Sequence, residues 1–424
     1  MDLLLRGGQV FRSGSFAAED IAVSDGVVVG VDSFPRDGSS SVIIDCSGKV
    51  IVPGLSDVHV HFREPGFSYK ETIYTGTMAA ARGGYTAVCT MPNLDPAPVD
   101  LKTLKVQLDL IKRDGRIRVF PFGAITSDQS GRGELSAMEE MAPFVIGFSD
   151  DGKGVQGEDL MEKAMEKAKS LGRPISAHCE DESLLRGGYI HDGEYAARHG
   201  HKGICSESEW KQVERDIKLC KKTGCAYHVC HVSTRESVEL IREAKKDGVD
   251  ITCETAPHYL VLCDEDLAEE GRFKMNPPLR SRADRDALIE GIKDGTVDMI
   301  ATDHAPHSAK EKAGGLLGSL NGIVGIETAF PVLYTKLVLP GILTLPRLIA
   351  LLHDNPCRRF GIGTPLAVGE TANFTVFDLG TEYTIDPDEF LSLGKATPFA
   401  GWKVRGRCLL TVCGGEIAWK DEQF

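Results

Sequence analysis

No two cysteines in this chain are spaced C-x-x-C, although it holds 12. Twelve among 424 residues is too sparse for a disulfide scaffold, and the scatter argues against a zinc ribbon or a redox pair. Cys220, Cys225 and Cys230 are evenly spaced, but they run from a predicted helix end, KLCKKTGC, into a predicted strand, AYHVCHV. Buried structural roles are expected for them. No run of about 18 apolar residues occurs, which excludes a helical membrane span. MDLLLRGGQV places only three leucines before Arg6 and Gly7, too few for a secretory leader core, so a cytoplasmic location is expected. Positive charge is in deficit: 48 Lys+Arg against 62 Asp+Glu give −14. That balance disfavours non-specific binding to nucleic acid or to an anionic membrane. A G-x-S-x-G elbow and a P-loop are both missing, so serine-nucleophile and nucleotide-phosphate chemistry lack support. Asn373-Phe374-Thr375 matches a glycosylation triplet, yet it reads as strand.

What is present is ordinary globular material, 42% hydrophobic and 26% charged, enough for one large α/β domain with an appendage. Residues 1–50 read as short β-branched strands broken by Gly, Asp and Ser. From about residue 55 the rhythm becomes buried strand, polar loop, helix. Apolar runs occur at DVHVHF, YTAVCTMP, RVFPFGAI, FVIGFSDD, PISAHCE, AYHVCHVS, DITCETAP and VDMIATDH. Amphipathic stretches such as DLMEKAMEKAKSLG and ESVELIREAKKDG lie between them. Continuous apolar strands alternating with helices predict a parallel sheet, and eight units fit a (β/α)8 barrel spanning 51–364. Short strands return after about 365, so residues 1–50 and 365–424 are expected to form one small composite β-domain.

Most of the polar information sits at the ends of those eight runs. His59 and His61 are two apart on a strand, so their rings share a face. The fourth run ends in Asp150-Asp151, the fifth reaches His178, the sixth His231, and the eighth ends in Asp303-His304. Any one of these alone is as well explained as a hydrogen-bonded core group. Five strands ending in such residues around one barrel mouth instead predict a metal site, with a donor set suited to Zn²⁺. Metal coordination lowers the pKa of water from about 15.7 toward roughly 7, and Asp303 by position can accept and return the proton. The chemistry expected is hydrolysis of an amide or a related bond. Cys179, beside His178, should face away from this site, and KAGGLLGSLNG reads as a mobile loop near the mouth. Surface or supporting roles suffice for His191, His199, His201, His228, His258 and His353.

GLSDVHVHFREPG, the MPN at 91–93, GFSDDGKGVQ, AHCED, HVST, NPPLR and ATDHAPHS, in this order, resemble the dihydroorotases of the amidohydrolase superfamily. The resemblance spans nearly the whole chain. It implies reversible cyclisation of N-carbamoyl-L-aspartate to L-dihydroorotate in pyrimidine synthesis. It also implies one or two zinc ions, with His59, His61 and Asp303 at one and His178 and His231 at the other. Asp151 would bridge them, Asp150 and a carbamylated Lys153 being the competing bridges. Arg63, in register with His61, would take the substrate carboxylate with Asn93 and His307. Asn276 and the Asn321-Gly322 backbone would meet the ring, although an aromatic is usual at position 321. The assembly expected from the resemblance is a homodimer, and aspartate carbamoyltransferase is the partner the family suggests. The rival readings are a hydantoinase, dihydropyrimidinase or allantoinase, or an inactive scaffold relative of the same family.

Overall fold

A computed structural model describes residues 2–33 and 41–424. Its core strands coincide with the eight apolar runs: Leu55–Val60, Tyr85–Thr90, Arg118–Pro121 continuing as Gly123–Ala124, Phe148–Ser149, Ile175–Ala177, Tyr227–Val229, Ile251–Thr255 and Met299–Ile300. Neighbours in this order pair in parallel. After the last strand, a parallel bridge between Val60 and His304 leads back to the first, with the His61 N–H donating to His304 O at 2.8 Å. Every residue of the first two core strands is buried, as strands covered on both faces require.

The covering helices follow from local chemistry. Arg235–Lys246 starts at Thr234, whose hydroxyl accepts the Ser237 N–H, and ends in Lys245 and Lys246. It buries Ser237, Val238, Ile241 and Ala244 at helical spacing. Glu207–Thr223 stops at Gly224, in left-handed backbone at φ 67°. Arg282–Asp294 opens with a Ser281–Asp284 capping box.

Strands from both ends of the chain build a second sheet. Its order is Glu416–Lys420, Arg407–Cys413, Phe374–Asp378, Val50–Pro53, Asp2–Arg12, Ser15–Ser24 and Val27–Val29, with Ser41–Asp45 also paired to Asp2–Arg12. The Asn-Phe-Thr triplet thus leads into a strand, and Asn373 is buried. Leu3, Leu5, Ile51, Phe374, Val376 and Leu410 pack in the apolar core of this sheet, each worth about 1.5–3 kcal/mol relative to exposure. Two hydroxyls key it to the helix Ile73–Arg82 and the turn that follows: Thr411 donates to Ala81 O at 2.7 Å and Thr375 to Gly84 O at 2.8 Å. The KAGGLLGSLNG stretch departs from a plain loop. Single-turn helices form at Ala309–Lys312 and Gly315–Gly318, the first because Ser308 and Glu311 make a capping box.

Candidate metal centre and substrate pocket

Asp57 sets the registration of the site. Its buried carboxylate accepts the Thr302 hydroxyl at 2.6 Å and the His59 N–H at 3.1 Å. This ties the start of the histidine pair to the residue preceding Asp303, and burial pushes the Asp57 carboxyl up to about 7. Glu209, on the helix Glu207–Thr223, does the same for the sixth strand end, accepting the Ser233 and Thr234 N–H groups just after His231. His231 and Asp303 both carry positive φ, 33° and 48°. Non-glycine residues adopt such backbone at a cost of order 1–3 kcal/mol, and it concentrates at functional sites.

All six ligand-type residues converge. Asp151 Oδ1 lies 3.4 Å from His59 Nε2, 3.4 Å from His231 Nε2 and 3.7 Å from His178 Nδ1. Its Oδ2 lies 3.5 Å from His61 Nε2. Two compact groups result, His59/His61/Asp151 and Asp151/His178/His231, which share Asp151. Asp303 Oδ1 stands 3.0 Å from His61 Nε2 and 3.6 Å from His59 Nε2. Asp150 points elsewhere. Its carboxylate accepts the N–H groups of Ile125, Thr126 and Gly131 and the Thr126 hydroxyl. Lys153 is exposed. Of the three candidate bridges, only Asp151 faces both histidine pairs.

The donor set fits a cation. His61 gives its Nδ1–H to Asn93 Oδ1 at 2.8 Å, and burial with nearby Arg63 lowers its pKa. The neutral ring therefore turns the Nε2 lone pair toward two carboxylates, an arrangement that a positive ion between them relieves. His59 gives its Nδ1–H to Glu254 Oε1 at 2.7 Å. Burial opposes charge on His59 and His178, but Asp151 reverses it for both, aided by Glu254 at the first and Glu180 at the second. His59 rises well above its ordinary pKa and His178 to about 10. A metal can replace such protons. His59 Nε2 and Asp151 Oδ1 are buried without a hydrogen-bond partner, as open ligand positions are. Burial raises the Cys230 thiol, so its approach to His59 and Glu254 is packing beside a supporting carboxylate.

A pocket of about 200 Å³ opens over these groups, lined by His61, Asp151, His178, His231 and Asp303 and by Arg63, Asn93, Gly152, Asn276, Ala305, His307, Asn321 and Gly322. Every residue expected to contact substrate is in that lining. Arg63 Nε donates to Pro306 O at 3.1 Å. The His307 Nε2–H is given to Asn321 O at 2.7 Å, and its Nδ1 accepts from Lys70 at 3.3 Å. Nε2 therefore cannot also accept from Arg63 Nη2, 3.4 Å away, and that guanidinium nitrogen keeps its hydrogens for another acceptor. Burial lowers Arg63 to about 10, still a cation at neutral pH. Asn276 Nδ2 donates to Glu180 at 3.1 Å. Gly322, at φ 131°, leaves no room for a Cβ, which would meet Ala305 O at 2.6 Å.

Glu254, Glu180, Lys70 and Glu209 are site residues that motif reading passes over. Glu254 carried a signal, a charged residue within the apolar run DITCETAP, where an unpaired carboxylate would be prohibitive. His228 joins it, with Nε2 3.1 Å from Glu254 Oε2. Cys179 does turn aside, its sulfur 3.4 Å from the Tyr227 hydroxyl.

Comparison with known proteins follows the same line. Residues 48–237 match the family model described as "Dihydro-orotase-like". The chain is 48% identical to a dihydroorotase of Fusobacterium nucleatum, with 99% of each chain covered. It is 47% identical to a dihydroorotase of Bacillus cereus, over 100% of this chain and 99% of that one. Among solved structures it resembles an L-hydantoinase (dihydropyrimidinase) of Arthrobacter aurescens at TM-score 0.85 and 26% identity, covering 98% of this chain and 95% of that one. A dihydropyrimidinase of Brevibacillus agri superposes at TM-score 0.86 and 22% identity, over 100% and 96%, a likeness of fold. With near-half identity sustained over full length, the chain belongs to the dihydroorotase family of the amidohydrolase superfamily.

Proposed function

We propose that this chain is a zinc-dependent dihydroorotase, closing N-carbamoyl-L-aspartate reversibly to L-dihydroorotate and water in pyrimidine synthesis. The observation that carries the reading is one pocket lined by five of the six ligand residues, with His59 buried against Asp151, and by a buried guanidinium with an uncommitted edge. His59, His61 and Asp303 would hold one zinc and His178 and His231 a second, with Asp151 serving both, and the metal would supply Lewis acidity and lower the pKa of water.

The chain's own residues supply the rest. In the hydrolytic direction a water oxygen bonds to the ring amide carbon, the C–N bond breaks, and a proton passes to the leaving nitrogen. Asp303 accepts that proton from water and delivers it to the nitrogen. Burial disfavours its charge, but close contact with His61 and the charge of His59 hold the carboxyl down at about 2, so it is anionic and able to accept. Arg63 binds the substrate carboxylate, with Asn93 and His307 beside it. Asn276 and the Asn321-Gly322 backbone hold the ring. Glu254 and Asn93 keep the His59 and His61 rings oriented.

The fold that supports this reading is a closed (β/α)8 barrel over 51–364, with the terminal sheet of 1–50 and 365–424 as its companion domain. The hydantoinase reading is disfavoured because an aspartate, not a lysine, faces both histidine pairs, and the inactive-scaffold reading because all six ligand residues are present and converge. Cytoplasmic location, a homodimer and association with aspartate carbamoyltransferase rest on family resemblance, and size-exclusion chromatography with and without that enzyme tests the last two. The decisive assay follows dihydroorotate absorbance on protein of measured metal content. Asp303→Asn should retain metal and lose about 10²–10⁴-fold in kcat. An active, metal-replete variant would sink the assignment.

A further inference from the structure

Lys312 is 8% exposed and belongs to no motif of the site. Its ammonium donates to three backbone carbonyls: Lys274 at 3.0 Å, Leu320 at 2.8 Å and Gly322 at 2.7 Å. An ammonium is the side-chain group that offers three donors from one point, so the match of donors to acceptors is complete. No carboxylate forms an ion pair with it among the described residues. The three carbonyls belong to the two segments that carry the ring contacts. Lys274 precedes Asn276 by two positions, and Leu320 and Gly322 flank Asn321. The Gly322 N–H returns to Lys274 O at 3.1 Å, which closes the link between the segments.

The single-turn helix carrying Lys312 makes a second attachment. Glu311 pairs with Lys70 at 2.9 Å, and Lys70 donates to His307 Nδ1. On its other nitrogen, His307 donates to Asn321 O, the carbonyl between the two that Lys312 holds. The ring is therefore fixed as its Nε2–H tautomer from both sides. That tautomer is what releases Arg63 Nη2 from a hydrogen bond to His307.

We propose that Lys312 is a positioning residue for substrate recognition: it fixes the 320–322 backbone against the Asn276 segment and, through Asn321 O, sets the tautomer of His307. This rests on the dihydroorotase reading above. It predicts a defect in binding, because the groups it orders meet the substrate's ring and carboxylate and not the atoms that exchange bonds.

The test is Lys312→Met in the full-length, metal-loaded enzyme. KM for L-dihydroorotate should rise about tenfold while kcat stays within about threefold, with metal content unchanged. ¹⁵N spectra of the imidazoles, with His307→Gln for assignment, should show the Nε2–H tautomer of His307 in the parent and a mixture in the variant. Lys312→Arg keeps charge but cannot aim three donors from one point, and should fall between the two. An unchanged KM, an unchanged His307 tautomer, or parallel losses of kcat and metal would each overturn the proposal. The outcomes separate cleanly from the underlying reading: a metal-loaded parent that ignores dihydroorotate defeats the function, whereas an active parent with an unaffected variant defeats only the role of Lys312.

Discussion

Oε1 of Glu254 lies 2.7 Å from Nδ1 of His59, and both side chains are essentially inaccessible to solvent. The same carboxylate meets His228 through its other oxygen. Burial opposes its charge, but His59 overrides that and holds Glu254 down at about 2. Such outer carboxylates orient a ligating imidazole and raise its basicity. Glu254→Gln should weaken metal binding by about 10–100-fold, read by competition against a chelating dye. Unaltered affinity would show that Glu254 serves packing alone.

Asp150 and Asp151 are adjacent but do different work. Asp151→Asn should lower the metal bound per chain, measured by elemental analysis, while the fold persists. Asp150→Asn should leave the stoichiometry in place but cost about 2–4 kcal/mol in denaturant unfolding, because an amide cannot satisfy the N–H groups of residues 125, 126 and 131 in the same way. The opposite pattern would make Asp150 the bridge.

Arg63→Met removes a buried cation whose free edge faces the pocket. Charge-assisted hydrogen bonds are worth about 1.5–3 kcal/mol, so affinity for dihydroorotate should drop about 10–100-fold. An uncharged cyclic imide should be much less affected. Equal losses for both ligands would count against a carboxylate role.

His191 supplies an acid-sensitive element away from the metal cluster. Burial, reinforced by the charge of Arg280, lowers it from 6.5 to about 4. The unfolded chain therefore takes up a proton that the native ring refuses once the pH drops below about 6.5. Stability is present at neutral pH and is lost as the pH falls toward 4. Between pH 7.5 and 5 this amounts to roughly 2 kcal/mol. His191→Asn should flatten the urea-midpoint profile over that window, and an unchanged profile would rule His191 out.

The parts legible in advance were those carried by local pattern. Alternation on one strand puts His59 and His61 on one face, and apolar runs ending in His or Asp announce both the parallel strands and their functional ends. The bridge stayed open in the chain alone, since Asp150, Asp151 and Lys153 sit within four positions. Which of them faces the cluster depends on where residues 125–131 place their N–H groups. Glu209 looks like an ordinary surface charge on a helix and Lys312 like one on a loop, because no spacing rule connects them to their partners.

By itself, the sequence determined the succession of core strands and the kind of ligand set, because these depend on residue type and on periodicities of two and 3.6 along the chain, while its ordered motifs carried the family resemblance. Only the tertiary structure decided that Asp151 is shared by the two histidine pairs, that Glu254 stands behind His59, and that His307 presents one tautomer while Arg63 keeps a free edge. Those outcomes turn on ångström-scale distances between segments up to hundreds of residues apart, where a single buried hydrogen bond determines which atom of a side chain is left to do chemistry.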